Sequence, residues 1–321
     1  MIKRLFSVII LSLCFLISNE FEIKKIPLQG QITNPKKEIS GLDWYRNNLF
    51  LLPENLEGYI FIIPKKELIA SIKSDNPVPL LPLEKNFNTP NYTQIIDGFE
   101  GYESISFYED NFIVTIEARY NKQMKSYIAW GKIDSTTLEM TIPIENLLEI
   151  KTPIQIKNMT YESSLIYNKD VIFFYEANGK NLQKNITQPK FSIDKKSFSN
   201  IKFPNLEYRI TDVTKIDKNN RFWAINYFWP GDKKHLKPAK DQLVKNYKID
   251  PSHNPSGKIE RLVEFEISKN EIIFTKTEPL QLKIDIDNSR NWEGIVRLEK
   301  EGFIIATDKY PEMVLAFVKY K

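Results

Sequence analysis

Short apolar runs that end on an acid or an amide recur along the chain: LFLLPE to Glu54, FIVTIE to Glu117, VIFFYE to Glu176, RFWAIN to Asn226 and FIIATD to Asp308. Each is bounded by turn residues, which marks a buried strand. Each follows an earlier strand with a small or acidic opening: Ser40-Gly41-Leu42, Glu103-Ser104-Ile105, Glu162-Ser163-Ser164, Thr211-Asp212-Val213 and Glu293-Gly294-Ile295. The opening and closing positions lie 14 residues apart in the first three copies and 15 in the last two, as one extra turn residue would produce. Each copy reads as a hairpin whose two marked positions share one end, because the second strand runs back along the first.

The openings at 40, 103, 162, 211 and 293 are spaced as four-stranded propeller blades with loops would be. Further strands are predicted at Ser126–Ile133, Leu138–Ile144, Ile259–Ile267 and Glu271–Leu282 from their β-branched and aromatic residues. Met313–Tyr320 and Phe21–Pro27 are each left without a partner inside their own units; pairing them closes the ring and removes its exposed edges. The expected fold is therefore all-β, a propeller of five four-stranded blades closed by the N- and C-terminal strands. Six blades would follow if the 59- and 63-residue intervals divide unequally. The 82-residue interval after Thr211 reads as one blade with an insertion at about 230–257, lysine-rich and broken by Pro230, Pro238, Pro251 and Pro255. His235 and His253, the chain's two histidines, lie there and are expected to face solvent.

Residues 1–20 read as a signal peptide, with Lys3 and Arg4 ahead of the apolar run Leu5–Ile17, leaving 21–321 as a single propeller domain. The expected location is periplasmic or secreted, with no transmembrane segment once the leader is removed. The sole cysteine, Cys14, falls inside that run; a lipid-anchor cleavage site would want a small residue where Leu13 stands. Disulfide and thiolate chemistry are thus excluded from the domain. The formal charge of +4 owes two units to Lys3 and Arg4, and the remaining lysines are interleaved with acids, so no nucleic-acid partner is implied and a monomer is expected. Trp44, Trp130, Trp223, Phe174 and Tyr175 lie in strand runs and are assigned to core packing.

In a propeller the innermost strands line the central channel, so the marked positions gather at one mouth: Glu54, Glu103, Glu117, Glu162, Glu176, Glu293 and Asp308, with Ser40, Thr211 and Asn226 in the weaker copies. So many carboxylates repel one another unless neutralised. A hard cation with oxygen ligands, calcium before magnesium, is the simplest remedy. Alternatively, the opening acids are blade-to-blade hydrogen-bond anchors without a metal. Arg119, Arg221, Arg290 and Lys309 lie nearby in sequence.

The openings, NWEG at 291–294 and the Glu117-Ala118-Arg119 strand end resemble the exported phytase-like proteins, described as esterase-like activity of phytase. The pattern is also similar to the SdiA-regulated proteins and to the six-bladed calcium-dependent lactonases and phosphotriesterases. DVTKIDKNNRFWAIN (212–226) is similar to a lactonase blade, with Thr211 and Asp212 where those enzymes tend to show an Asn-Asp pair. The resemblance implies a calcium-dependent hydrolase of phosphoesters, esters or lactones that takes an anionic small molecule. Glu162 and Glu293 would be calcium ligands, Glu103 a ligand or general base, and Arg119 and Lys309 would hold the substrate's anionic group. The rival expectation is a non-catalytic propeller that binds a ligand or partner and carries a structural cation. No G-x-S-x-G elbow is present to suggest serine chemistry.

Overall fold

In the computed structural model, which describes residues 20–247, 257–310 and 312–320, five four-stranded antiparallel blades surround a central channel. Blade 1 comprises Ile39–Tyr45, Asn48–Pro53, Tyr59–Pro64 and Leu83–Asn88. Blade 2 comprises Phe99–Tyr108, Asn111–Tyr120 and Gln123–Ile133, and its outer edge is split between Met140–Thr141 and Leu147–Ile150. Blade 3 is Tyr161–Tyr167, Asp170–Tyr175, Thr187–Ser192 and Ser197–Lys202. Blade 4 is Arg209–Val213, Arg221–Phe228 and Ile259–Ser268, with an outer edge of Glu271–Phe274 and Leu280–Leu282. Blade 5 takes Trp292–Leu298, Gly302–Thr307 and Leu315–Lys319 from the C-terminal end and Ile23–Ile26 from the N-terminal end.

Ile23–Ile26 runs antiparallel to Leu315–Lys319, so the terminal strands close the ring as expected. Glu20, which the sequence reading gave to the leader, and Phe21 pair instead with Gln281 and Leu282 on the rim of blade 4. The N-terminal strand pair therefore clasps blades 4 and 5 together. Residues 1–19, with Lys3, Arg4 and Cys14, lie outside the described residues. Among the described residues no helix is long and apolar enough to cross a membrane.

The apolar runs are continuous because every blade is packed on both faces. Leu49 and Leu51 face blade 5 while Phe50 and Leu52 face blade 2. Phe173 and Tyr175 likewise face blade 2 while Ile172 and Phe174 face blade 4. A hydrophobic cluster fills each of the five blade interfaces, and Trp223 and Trp292 meet in the one between blades 4 and 5. A period-2 strand buried on both sides shows no polar alternation. Trp223, Phe174 and Tyr175 are buried, Trp130 packs against the core, and the half-buried Trp44 donates its indole N–H to Arg297 O at 2.9 Å.

Two expected strands differ in detail. Leu138–Ile144 supplies only Met140–Thr141, and Leu147–Ile150 takes the rest of that edge. Glu271–Leu282 breaks into two strands around Thr275 and Thr277, whose hydroxyls donate to Glu264. The insertion forms short helical turns at Pro230–Asp232, Lys233–Leu236 and Gln242–Tyr247. It is tied down by buried Leu236 and Leu243 and by Asp241, 2.8 Å from the buried Arg261 guanidinium. His235 is exposed there; His253 lies outside the described residues.

Candidate functional site

The marked positions converge for a local reason. In every blade the first hairpin breaks register at the opening residue: between Ile39 and Gly41, Tyr102 and Ser104, Tyr161 and Ser163, Ile210 and Val213, and Trp292 and Gly294. A β-bulge adds one residue to a strand and re-aims its side chain. Glu103, Glu162 and Glu293 each occupy that extra place and are buried together at the mouth of the channel.

Beyond the bulge, the closing residue of blades 1, 2, 3 and 5 pairs with the residue two before the opening, whereas in blade 4 Asn226 pairs with Ile210 and Arg209 with Tyr227. Glu54 N–H donates to Glu38 O at 2.7 Å, Glu176 N–H to Thr160 O at 3.0 Å and Asp308 N–H to Asn291 O at 3.1 Å, while Glu117 lies opposite Gly101. This brings a second column of residues to the rim: Glu38, Gly101, Thr160, Arg209 and Asn291. Three of them meet the closing acid of the preceding blade. Gly101 leaves room for Glu54, since a Cβ there would sit 2.2 Å from Glu54 Cγ. Thr160 Oγ1 donates to Glu117 Oε2 at 2.9 Å, and Arg209 Nε donates to Glu176 Oε1.

Arg209 neutralises part of this ring. Besides Glu176, its guanidinium lies 3.9 Å from Glu293 Oε1 and 3.9 Å from Asp232 Oδ2 of the insertion, and 3.5 Å from Asn291 Oδ1. The Asn291 amide in turn donates to Glu293 and, at 2.9 Å, to Asp308 Oδ2. Asn226, aligned with the acids, carries no charge to the mouth; it donates to Glu207 O and Arg209 O and accepts from Arg261 Nε, fixing the strand that carries Arg209. Ser40 and Thr211 cap carbonyls of neighbouring blades, Tyr102 O and Trp292 O, each at 2.5 Å.

Even with Arg209 present, carboxyls are in excess, and burial and mutual repulsion favour their protonated forms. Burial, followed by the charges of Glu162, Glu54, Glu117 and Glu293, pushes Glu103 well above the usual carboxyl range. Burial and the charge of Glu162 push Glu117 up strongly, with Thr160 opposing. Glu293 is raised by burial, Asp308 and Glu162 against the pull of Arg209. Glu162 is raised by burial, moderated by Arg209 and by a hydrogen bond from Glu103. Glu54 rises to about 8 through burial, Glu38 and Glu162. Asp308 is raised by burial, but Asn291 and the Tyr310 N–H at 2.7 Å favour its ionised form.

The basic side chains near this ring in sequence play other parts. Lys309 is bound to Glu38 at 2.6 Å. Arg119 is half-buried at the end of its strand and makes no ion pair among the described residues. Arg290 is paired with the fully buried Glu260 beside Trp292, and Arg221 with Glu266 in the wall of blade 4. Glu176 has no exposed surface and serves as the counter-ion of Arg209. Among the described residues no three Asp, Glu, His or Cys side chains are spaced to hold a metal ion. Arg209, Asn291 and Glu38 were missed by the sequence reading, although their common place two residues before each opening was there to be read.

Outside the mouth, Glu38 and Glu54 form part of the wall of a cleft of about 830 Å³ between blades 1 and 2.

No protein-family profile matches the sequence, and no curated protein matches it. Among solved structures, a thermostable family-43 glycoside hydrolase superimposes with a TM-score of 0.51 at 11% identity, over 93% of each chain. An exo-β-1,3-galactanase of Phanerochaete chrysosporium, solved with β-1,3-galactotriose, gives 0.50 at 8% identity, over 92% of this chain and 64% of its own. At this identity the likeness is one of fold: the protein is a five-bladed β-propeller whose channel opens on a ring of buried carboxyl groups.

Proposed function

We propose that the acid mouth is a hydrolytic site for glycosidic bonds, with Glu103 as proton donor and Asp308 as the ionised carboxylate. The observation that carries this reading is the unequal surroundings of the carboxyls within one cluster. Glu103 is buried among Glu54, Glu117, Glu162 and Glu293, which with burial raise it well above the usual carboxyl range, whereas Asp308, although raised by burial, accepts from the Asn291 amide at 2.9 Å and the Tyr310 N–H at 2.7 Å, contacts that oppose the rise. Two carboxyl groups whose surroundings separate their protonation states are what glycoside hydrolysis needs. One protonates the leaving oxygen, and the other attacks the sugar carbon or activates water. Glu162 and Glu293 would help keep the proton on Glu103, and Arg209 would keep the ring from becoming too negative to fold. The glycoside hydrolases that share the fold support the reading by analogy. The excess of acid over base also disfavours an anionic phosphoester at this mouth and favours a neutral substrate.

A second reading, calcium-dependent hydrolysis of phosphoesters, esters or lactones, is favoured by the same surplus of carboxylates, which a divalent cation would offset. Aryl glycosides, aryl phosphates and aryl esters assayed with and without chelator separate the two. We expect chelator-insensitive turnover of a glycoside, with Glu103→Gln lowering kcat by about 100- to 10,000-fold, as removal of a general acid does. Turnover of a phosphate or ester that chelator abolishes would replace this reading with the second.

A further inference from the structure

We infer that the cleft between blades 1 and 2 binds the part of a neutral oligosaccharide that extends beyond the bond being cleaved; this rests on the hydrolytic reading of the mouth. The cleft starts at the rim, because Glu54 forms part of its wall while its charge is felt by Glu103 and Glu293. Its volume of about 830 Å³ suits two or three sugar rings, and a second hollow of about 450 Å³ shares Asn88 and Asn91 and carries the groove outward past Ile95 and Ile144.

The lining is chemically suited to hydroxyl groups. Its carboxylates are largely spoken for, Glu57 by Lys37 and Glu38 by Lys309, each at 2.6 Å. What remains is neutral and polar. Thr93 Oγ1 donates to Asn91 Oδ1 at 2.6 Å, which fixes the Asn91 amide and leaves its N–H groups without a partner among the described residues. The half-buried Phe99 also lines the cleft and stacks on the buried Tyr92 with ring centroids 6.4 Å apart, giving an aromatic surface for the apolar face of a sugar.

Calorimetric titration of arabinotetraose, xylotetraose, cellotetraose and β-1,3-galactotriose into the full chain tests this, with Thr93→Trp to fill the cleft and Asn91→Ala to remove its free donor. Both substitutions are at exposed positions, and a melting curve checks that each variant folds. The expected result is binding of at least one of the four, weakened about tenfold or more by Thr93→Trp and less by Asn91→Ala. Binding lost in the variants without turnover of the same sugar upholds the cleft and removes the hydrolytic reading. Turnover with unchanged Kd in both variants overturns the cleft and leaves the hydrolytic reading standing. No binding of any of the four by the unaltered protein also overturns the cleft.

Discussion

The channel wall buries acids in two settings, and burial raises the pKa in both. Deeper in the wall than the mouth, Asp43 accepts the N–H groups of Trp44 and Phe107, each at 2.7 Å, and meets Lys215 Nζ at 3.2 Å. Asp212 accepts Val213 N–H at 2.8 Å and Ile295 N–H at 2.7 Å. Each therefore staples its own strand to the innermost strand of the next blade, and hydroxyls continue the stitching, Ser104 with Ser164 at 3.3 Å and Ser106 with Ser164 at 2.8 Å. At the acid mouth the carboxyls meet one another, one guanidinium and one amide. Blade-to-blade anchoring, one expectation for the opening glutamates, is carried out by Asp43, Asp212, Ser40 and Thr211. An acid whose lone pairs are filled by backbone donors stabilises the fold; acids left to share protons are poised for chemistry at a cost in stability.

Removing Arg209 should break this contrast most severely. Arg209→Met leaves Glu176 and Glu293 buried without their cation, and urea unfolding should show a loss of about 3–5 kcal/mol, as when one partner of a buried pair is deleted. Asp212→Ala leaves the Val213 and Ile295 N–H groups unpaired in the interior and should cost about 1–3 kcal/mol in the same measurement. If that loss equalled the loss from Arg209→Met, the two settings would not differ in kind.

The mouth should also be visible in the pH dependence. A carboxyl whose pKa is higher folded than unfolded contributes stability that is complete below its unfolded value and lost as pH rises through its folded value. Glu54 rises to about 8, and Glu103, Glu117 and Glu293 are raised too. Stability should therefore fall as pH climbs from the ordinary carboxyl range toward 8, and Glu54→Gln, which copies the protonated form, should flatten part of that fall. Stability that rose over the same interval would show the cluster to be ionised and neutralised by something else. The smallest effect belongs to Lys309→Met: its partly exposed pair with Glu38 should be worth less than about 1 kcal/mol.

Much of the architecture could be read directly from the sequence. LFLLPE, VIFFYE and RFWAIN are unbroken apolar runs because neighbouring blades cover both faces, and their spacing disclosed five hairpins and the closing terminal strands. Leu138–Ile144 was overextended because edge strands carry little periodicity. The separation of 14 or 15 residues correctly marked one rim, but it could not show that the opening residue is a bulge, since register is a relation between strands. Arg119 stands close to Glu117 in sequence and makes no ion pair among the described residues, whereas Arg209 is far from Glu293 in sequence and lies 3.9 Å from it.

The sequence by itself determined the hairpin repeat and the all-β class, because strand period and hairpin length are local properties written into each unit. Which acids are pushed toward their protonated forms, which one is paired with Arg209, and where a cleft opens between blades 1 and 2 were decided only when the five units met. Burial and Coulomb interactions depend on distances across the ring, between residues from opposite ends of the chain.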